Sequence, residues 1–373
     1  MANRIIGIVC TSPGWGGLEL NTLRLCKWLR EAGWKVHLIS AYDSPIARHS
    51  ADQVNTLSTF GEGPLPKKSQ RLKMLHVWKL KYRIPILFLP FNKDISFCSL
   101  YKRFYDQNIG LIYQQHMQVG VRKRDFIHTL RYAMIDVWIS PLQYLKEETL
   151  RLTRVKEERI ELIPFGLEPE SFKETAWTRE LARKELGLAE DAYIIGLLGR
   201  LDPKKGQDLV IKALQQLAGR DHYQILLVGS GTLNKGGDAY SQELHDQVIN
   251  SGLSEKVHFR PYTDDIMVFF RAIDLFAMPA HGETFGMVTL EAMAAGVPVL
   301  GTNTDGTKEI LGNGKFGHLF ERENVESFIQ QLEVMRKDPK LPEQVEAARN
   351  EAITNYSKEK MVSSIVGVLT EFI

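Results

Sequence analysis

The chain has little cysteine, no long apolar run and no grouping of residues that would hold a metal. Its 373 residues include three cysteines. Cys10, Cys26 and Cys98 are odd in number and widely spaced, so they make neither a disulfide framework nor a zinc site. That usage fits a reducing compartment, and the cytoplasm is the expected location. No stretch approaches the roughly 20 apolar residues of a membrane span. The run Arg4-Ile-Ile-Gly-Ile-Val-Cys10 is too short for a secretory signal, lacks a cleavage pattern and reads as a first strand. Asp-x-Asp is absent, as is any His/Cys/Asp group at metal spacing, so no metal and no other cofactor is expected. There is no internal repeat or low-complexity segment. The basic residues come without a recognisable reading module, which argues against nucleic acid as a partner.

What is present suits two domains. A chain of 373 residues, 44% hydrophobic and 25% charged, is long for one core and comfortable for two α/β units. In the first half, strands are expected at Ile5–Cys10, Lys35–Ala41, Ile84–Phe91, Gly110–Gln115, Asp136–Ser140 and Ile160–Gly166. Helices are expected at Gly17–Ala32 and Ser69–Tyr82. The second half restarts the alternation. Strands are expected at Tyr193–Leu198, Tyr223–Val228, Val257–Phe259, Asp274–Met278 and Val297–Gly301, and helices at Thr178–Leu186, Asp208–Ala218 and Lys358–Phe372. Strand and helix alternating at this pitch argue for parallel, doubly wound sheets. Two such units with one crossover make a two-Rossmann layout, α/β in class, which holds a ligand in the cleft between sheet edges. The boundary falls at 165/166.

Net charge is +2, but it is unevenly divided. Residues 1–165 carry 25 Lys/Arg and 14 Asp/Glu, whereas residues 166–373 carry 22 and 31. The excess concentrates in 64–103, where ten basic residues meet the single acid Asp94. Such asymmetry fits mutual attraction between domains, or a surface for anionic lipid or phosphate.

The most informative string is His281-Gly-Glu-Thr-Phe-Gly-Met-Val-Thr-Leu-Glu291, followed by Ala-Met-Ala-Ala-Gly-Val-Pro-Val-Leu300. A helix is expected to begin near Phe285 or Gly286 and to stop at Gly296, since Pro298 cannot extend it. The amides of Phe285, Gly286, Met287 and Val288 would be its unpaired first-turn N–H groups, a ready anion site. Glu283 precedes that site. At ~1.5 Å rise per residue, Glu291 lies only about 7 Å along the axis from the first turn. One carboxylate can address hydroxyls on each side of a bound phosphate, and a nucleotide sugar has that layout. Spacing alone is weak, because glutamates at helix starts are common.

Four further groups stand at strand ends. Gly14-Trp-Gly-Gly-Leu-Glu19 opens the first helix, where Gly16 and Gly17 let backbone approach a phosphate or sugar; any tight turn of this kind also favours glycine. Gly199-Arg200-Leu-Asp-Pro-Lys-Lys205-Gly206 offers two separated cations suited to a diphosphate. Lys205, which precedes the glycine, is favoured over Lys204. His116 ends a strand, where it is either a cleft residue or a satisfied polar group. Gly229-Ser-Gly231 is a turn of the same kind.

Together these strings resemble the retaining glycosyltransferases of family 4 (glycosyl transferases group 1), whose fold is GT-B. The resemblance is strong from about Glu161 to Leu311, and weak from Phe104 to Ser140. It rests on Glu-x7-Glu, Gly-Arg-x4-Lys-Gly, Thr-Asp-Gly-x-x-Glu309 and the Gly-Gly-x-Glu turn. It implies a donor domain at 166–357 and an acceptor domain at 1–165, with the last helix (358–373) packing back on the acceptor domain. It implies that Arg200 and Lys205 hold a diphosphate with the amides of 285–288, that Glu291 holds the ribose, and that Glu283 and His116 bond the transferred sugar. The implied reaction is metal-independent transfer of a hexose, with retention, from a UDP- or GDP-sugar to a glycan or lipid-linked acceptor in bacterial surface polysaccharide, lipopolysaccharide or glycolipid synthesis. The same architecture also serves sugar-nucleotide epimerases or hydrolases and non-catalytic binding modules. Phe165 stands where relatives often carry Asn, and Glu168 where they often carry Asp, so hinge and acceptor pocket depart from the pattern. The stretch 64–103, with Trp78, Tyr82 and Phe88 interleaved, is expected to meet an anionic membrane face or a phosphorylated acceptor, or to be a solvated basic helix.

Overall fold

Strands buried on both faces need near-continuous apolar sequence, and every apolar run read as a strand lies in a parallel sheet. The computed structural model describes residues 4–173, 175–217, 222–229 and 237–373. The chain divides into two compact units, Met1–Gly166 with Lys358–Ile373, and Leu167–Ser357.

Unit one holds β1 (Ile5–Cys10), β2 (Lys35–Ser40), β3 (Thr56–Thr59), β4 (Ile86–Leu89), β5 (Gly110–Gln114), β6 (Val137–Ser140) and β7 (Ile160–Leu162). They lie in the order β3-β2-β1-β4-β5-β6-β7, with every pairing parallel. All six residues of β1 are buried. The order reverses between β1 and β4, and the turn leaving β1 carries the Gly14–Gly17 string. Trp78, Phe97, Tyr101 and Trp138 fill one face of the core. Within the basic stretch, Trp78 and Phe88 are buried, and Tyr82 stacks on His37 with ring centroids 4.4 Å apart. Trp78 and Tyr82 hold the helix Lys68–Tyr82 to the sheet, and Phe88 is part of β4, so neither Trp78 nor Phe88 is free to insert into a membrane.

The last helix, Lys358–Thr370, belongs to this unit. Met361 sulfur lies 3.0 Å from the Gly166 amide, and Lys358 Nζ is 3.9 Å from Glu31. A Cβ at Gly110 would meet the Phe372 ring at 2.7 Å.

Unit two holds β8 (Tyr193–Leu198), β9 (Tyr223–Val228), β10 (Val257–Arg260), β11 (Leu275–Met278), β12 (Val299–Thr302) and β13 (His318–Phe320). Their order is β10-β9-β8-β11-β12-β13, again parallel throughout. The reversal falls between β8 and β11, and the turns leaving those two strands carry Arg200–Gly206 and His281–Gly286. Ligands of open parallel sheets bind at such a reversal, outside the carboxyl ends of the strands. Among described residues no helix is long and apolar enough to cross a membrane.

One buried cation fixes the start of this sheet. Arg183 is 1% exposed and donates to the carbonyls of Ala272, Ala189, Glu190 and Ala192. It also donates to Asp274 Oδ2 at 2.7 Å, the oxygen that accepts the Ile194 amide. The helix Arg179–Leu186, β8 and β11 are thereby tied at one point. Arg183→Met should lower the stability of unit two by about 3 kcal/mol, because it leaves four carbonyls without their donor and Asp274 with only Arg179 and the Ile194 amide. Urea unfolding of the variant against the parent protein measures this.

Candidate functional site

In unit two, the turn after β8 folds onto the turn after β11. Asp202 caps its own turn by accepting the Lys204 amide at 2.9 Å, and the Lys204 carbonyl accepts the His281 amide at 2.7 Å. Gly206 has φ 70°, and a Cβ there would lie 2.4 Å from the Pro279 carbonyl oxygen, so only glycine permits this approach. Gln207 donates to the Arg200 carbonyl at 2.9 Å, while its own buried Oε1 has no partner. Leu198, Lys205, Gln207 and Pro279 line a small recess here. Lys204 points outward. Lys205 turns inward and donates to Glu283 Oε2 at 2.5 Å, with side chains 30% and 15% exposed. Arg200 is exposed.

The helix carrying Glu291 starts later than its sequence suggests. It spans Met287–Ala294, with Gly286 as a left-handed N-cap at φ 87°. The amides of Phe285 and Gly286 therefore lie outside its first turn, and those of Met287 and Val288 open it. Phe285 is a core residue, 4% exposed and edge-on to Tyr356 at 6.2 Å. No side chain caps the helix. Gly296, at φ 74°, ends it as expected from the sequence. Glu291 is 7% exposed and Glu283 sits just before the cap, so the two carboxylates flank the helix start.

Sequence reasoning missed what supports Glu283 from behind. The Asp305-Gly306 turn lies against it, the Gly306 amide donating to the Glu283 carbonyl at 3.1 Å. A Cβ at Gly306 would sit 2.7 Å from the Thr284 oxygen. His281 Nδ1 is 3.2 Å from Glu323. The hydroxyls of Thr289, Thr304 and Thr307 are buried there without hydrogen-bond partners. The Thr-Asp-Gly-x-x-Glu string was the only available signal. Of the Gly229–Gly231 turn, Ser230 and Gly231 lie outside the described residues.

In unit one, the glycine turn is shaped by two buried acids. Glu19, 4% exposed, is bonded by the Ser12 hydroxyl, and that hydroxyl also accepts the Gly14 amide at 3.3 Å. Asp94 accepts the Thr11 amide at 2.8 Å and the Thr11 hydroxyl at 2.5 Å, and burial pushes its carboxyl up to about 7. Gly16 precedes the helix Gly17–Glu31 in extended backbone, with no side-chain cap, and a Cβ at Gly17 would meet nothing. His116 stands beyond β5, its Nε2 3.2 Å from Gln114 Oε1 and its ring 4.7 Å from Phe165. Among described residues no three His, Cys, Asp or Glu groups converge as metal ligands.

Residues 178–352 match the family Glycosyl transferases group 1, and residues 15–171 match Glycosyltransferase Family 4. Among solved structures, the Anabaena protein Alr3699/HepE in complex with UDP-glucose superposes with TM-score 0.84 at 21% identity, over 98% of this chain and 99% of that one. A glycosyltransferase from Rickettsia africae superposes with TM-score 0.89 at 19% identity, over 100% and 99%. Each half of the chain thus matches a glycosyltransferase family model, and the fold is GT-B. A D-inositol 3-phosphate glycosyltransferase of Stackebrandtia nassauensis is 30% identical over half of this chain and 43% of its own length. One from Streptomyces bingchenggensis is 27% identical over 63% of this chain and 53% of its length. The chain thus spans about half the length of these curated relatives.

In this GT-B chain, His116 is held neutral. Burial lowers its pKa from 6.5 to about 3, so its imidazole offers hydrogen bonds rather than charge. The unfolded chain binds this proton below about pH 6.5 and the folded chain does not, so the stability tied to His116 is full above that pH and lost as pH falls toward 3. Asp94, shifted upward, acts in the opposite sense: its contribution is full near pH 4 and lost as pH rises toward 7. The net slope therefore mixes both, and a variant isolates one. Relative to the parent, His116→Gln should remove about 2 kcal/mol of destabilisation between pH 7 and pH 5. Parallel urea unfolding at the two pH values tests this.

Proposed function

We propose that the chain transfers a hexose from a nucleoside diphosphate sugar, with retained anomeric configuration, to a glycan or lipid-linked acceptor at the cytoplasmic face of a membrane. The observation that carries the reading is the contact between Lys205 and Glu283 at the open start of the helix Met287–Ala294. A cation suited to a diphosphate and a carboxylate suited to sugar hydroxyls are held side by side. Glu291, inside the same helix, is assigned to the ribose hydroxyls. Support for the donor class comes from the GT-B neighbour crystallised with UDP-glucose and from the two family matches. The unpaired, buried cysteines accord with a reducing compartment.

In this reading Arg200, Lys205 and the amides of Met287 and Val288 neutralise the departing diphosphate, so the reaction requires no metal. An acceptor oxygen bonds to the anomeric carbon, the bond from that carbon to the β-phosphate oxygen breaks, and the acceptor proton passes to the leaving phosphate. Glu283 positions sugar hydroxyls and is not the nucleophile. His116 donates or accepts a neutral hydrogen bond at the sugar. Surface polysaccharide, lipopolysaccharide and glycolipid acceptors fit this scheme equally.

A thermal-shift comparison of UDP with GDP identifies the base, since a tight ligand raises the melting temperature. With that donor, Lys205→Ala and Glu291→Ala should each reduce turnover by at least about tenfold, or ~1.4 kcal/mol of transition-state stabilisation, without loss of folding. Near-parental turnover in either variant refutes the donor site. Free sugar as the main product in every acceptor mixture points to a hydrolase.

A further inference from the structure

The helix Phe126–Tyr132 buries none of its residues. Phe126, Ile127 and Leu130 are 76%, 56% and 51% exposed, and at helical spacing they fall within an arc of about 100°. The loop before it adds Met117 and Val121, 53% and 65% exposed. Clustered exposed apolar side chains of this size mark an interaction surface. They are also held rigidly outward. Glu148 accepts the amides of Val119 and Gly120 at 2.8 and 3.2 Å, and the Lys123 amide donates to the Leu152 carbonyl. Arg124 donates to the Thr153 carbonyl at 2.9 Å, and Asp125 caps the helix by accepting the amides of Ile127 and His128. The loop is thus tied by polar bonds, while its apolar groups point away from the core.

The surroundings are basic. Between Lys67 and Arg131 the chain carries fourteen Lys/Arg and three carboxylates. Each carboxylate is engaged: Asp94 with Thr11, Asp106 with Lys79 and Asp125 with the helix amides. Arg122 and Arg124 are exposed beside the apolar group. Lys67 and Lys68 open the helix Lys68–Tyr82, and Lys68 reaches Ser96 at 3.0 Å. The helices Lys68–Tyr82, Ile95–Phe104 and Phe126–Tyr132 all connect strands that advance across the sheet in one direction, so the uniform handedness of such crossovers puts them on one face. The last two begin at the carboxyl edge of the sheet, where His116 also stands, and Lys68 joins them there through Ser96.

We propose that Met117, Val121, Phe126, Ile127 and Leu130, flanked by Arg122–Arg124, are a monotopic docking face for an anionic lipid bilayer. An apolar group ringed by cations matches the acyl boundary beneath an anionic headgroup layer. It replaces the aromatics of 64–103 as the inserting element and leaves that stretch a purely electrostatic share. Where the reading of a lipid-linked acceptor holds, this face delivers that acceptor to the edge bearing His116. The docking itself does not depend on that reading.

Co-sedimentation with phosphatidylcholine vesicles, with and without phosphatidylglycerol, tests it in the full chain. The parent protein should bind the anionic vesicles about tenfold better than the neutral ones. Both Phe126→Ser/Ile127→Ser/Leu130→Ser and Arg122→Glu/Lys123→Glu should lose that binding about fivefold or more, with melting temperature and nucleotide thermal shift unchanged. Equal binding to both vesicles, no binding to either, or retention by the serine variant overturns the proposal. So does a parent dimer that the serine variant converts to monomer by light scattering, because the face would then belong to a second copy. Vesicle binding is read without turnover, so its failure is distinguishable from failure of the transferase reading.

Discussion

Everything at the candidate donor end depends on how closely two turns of backbone can touch. Lys205 reaches Glu283 because Gly206 lets its turn lie against the Pro279 carbonyl, at a spacing no side chain would survive. The Lys204 carbonyl then takes the His281 amide, which fixes the register of one turn on the other. From the far side Gly306 closes on Thr284 and Glu283 with equal economy of space. The cation and carboxylate are therefore positioned by main-chain contacts between strand ends, and their own flexible side chains have little to decide. Parallel sheets make this available, because all their strand-to-helix turns emerge at one edge.

Charge is distributed along different lines in the two units. In unit two acids and bases near the site are paired across turns, Lys205 with Glu283 and His281 with Glu323, while Arg183 and Asp274 pair at the opposite edge of the sheet. A bound diphosphate would compete with Glu283 for Lys205, which suits a site that must release its product. In unit one much of the excess lies on one layer of helices, where Lys79 and Lys102 meet Asp106 and Asp136 and where Trp78 and Phe97 face inward. The burial of Trp78 and Phe88 removes the interleaved aromatics as a membrane device. The exposure of Phe126 and Ile127 supplies one in a place where sequence gives no warning, since two apolar residues after Arg-Lys-Arg-Asp look like the start of any amphipathic helix.

The fold was largely legible because fully buried parallel strands leave unbroken apolar runs; Tyr193–Leu198 and Tyr223–Val228 were read to the residue. Thr56–Thr59 and His318–Phe320 were not, because edge strands are half-exposed and mix polar with apolar residues. At the site, motif strings located the right turns but not their internal geometry. The helix start was placed one or two residues early because Gly286 takes a left-handed cap, a choice invisible in a Gly-Met-Val-Thr string. Thr11 with Asp94 was missed because nothing local ties positions 83 residues apart, and Ser12 with Glu19 because an acid in a first helical turn is ordinary there.

The state of His116 constrains how a transfer reaction could handle its proton. A histidine that titrates near 3 is a weak base, and at neutral pH it accepts a proton from a sugar hydroxyl only at a cost of several kcal/mol. Its neighbours offer no relief, since Gln114 is an amide and Phe165 an aromatic ring. Where relatives often carry Asn, this chain has a phenylalanine whose ring packs 4.7 Å from the half-buried imidazole. A neutral imidazole can orient a hydroxyl without exchanging protons with it. Deprotonation of an acceptor is then left to the most basic group created during the reaction, the oxygen of the departing phosphate. The proposed route of the acceptor proton to the departing phosphate is thus in keeping with a neutral imidazole at this edge of the sheet.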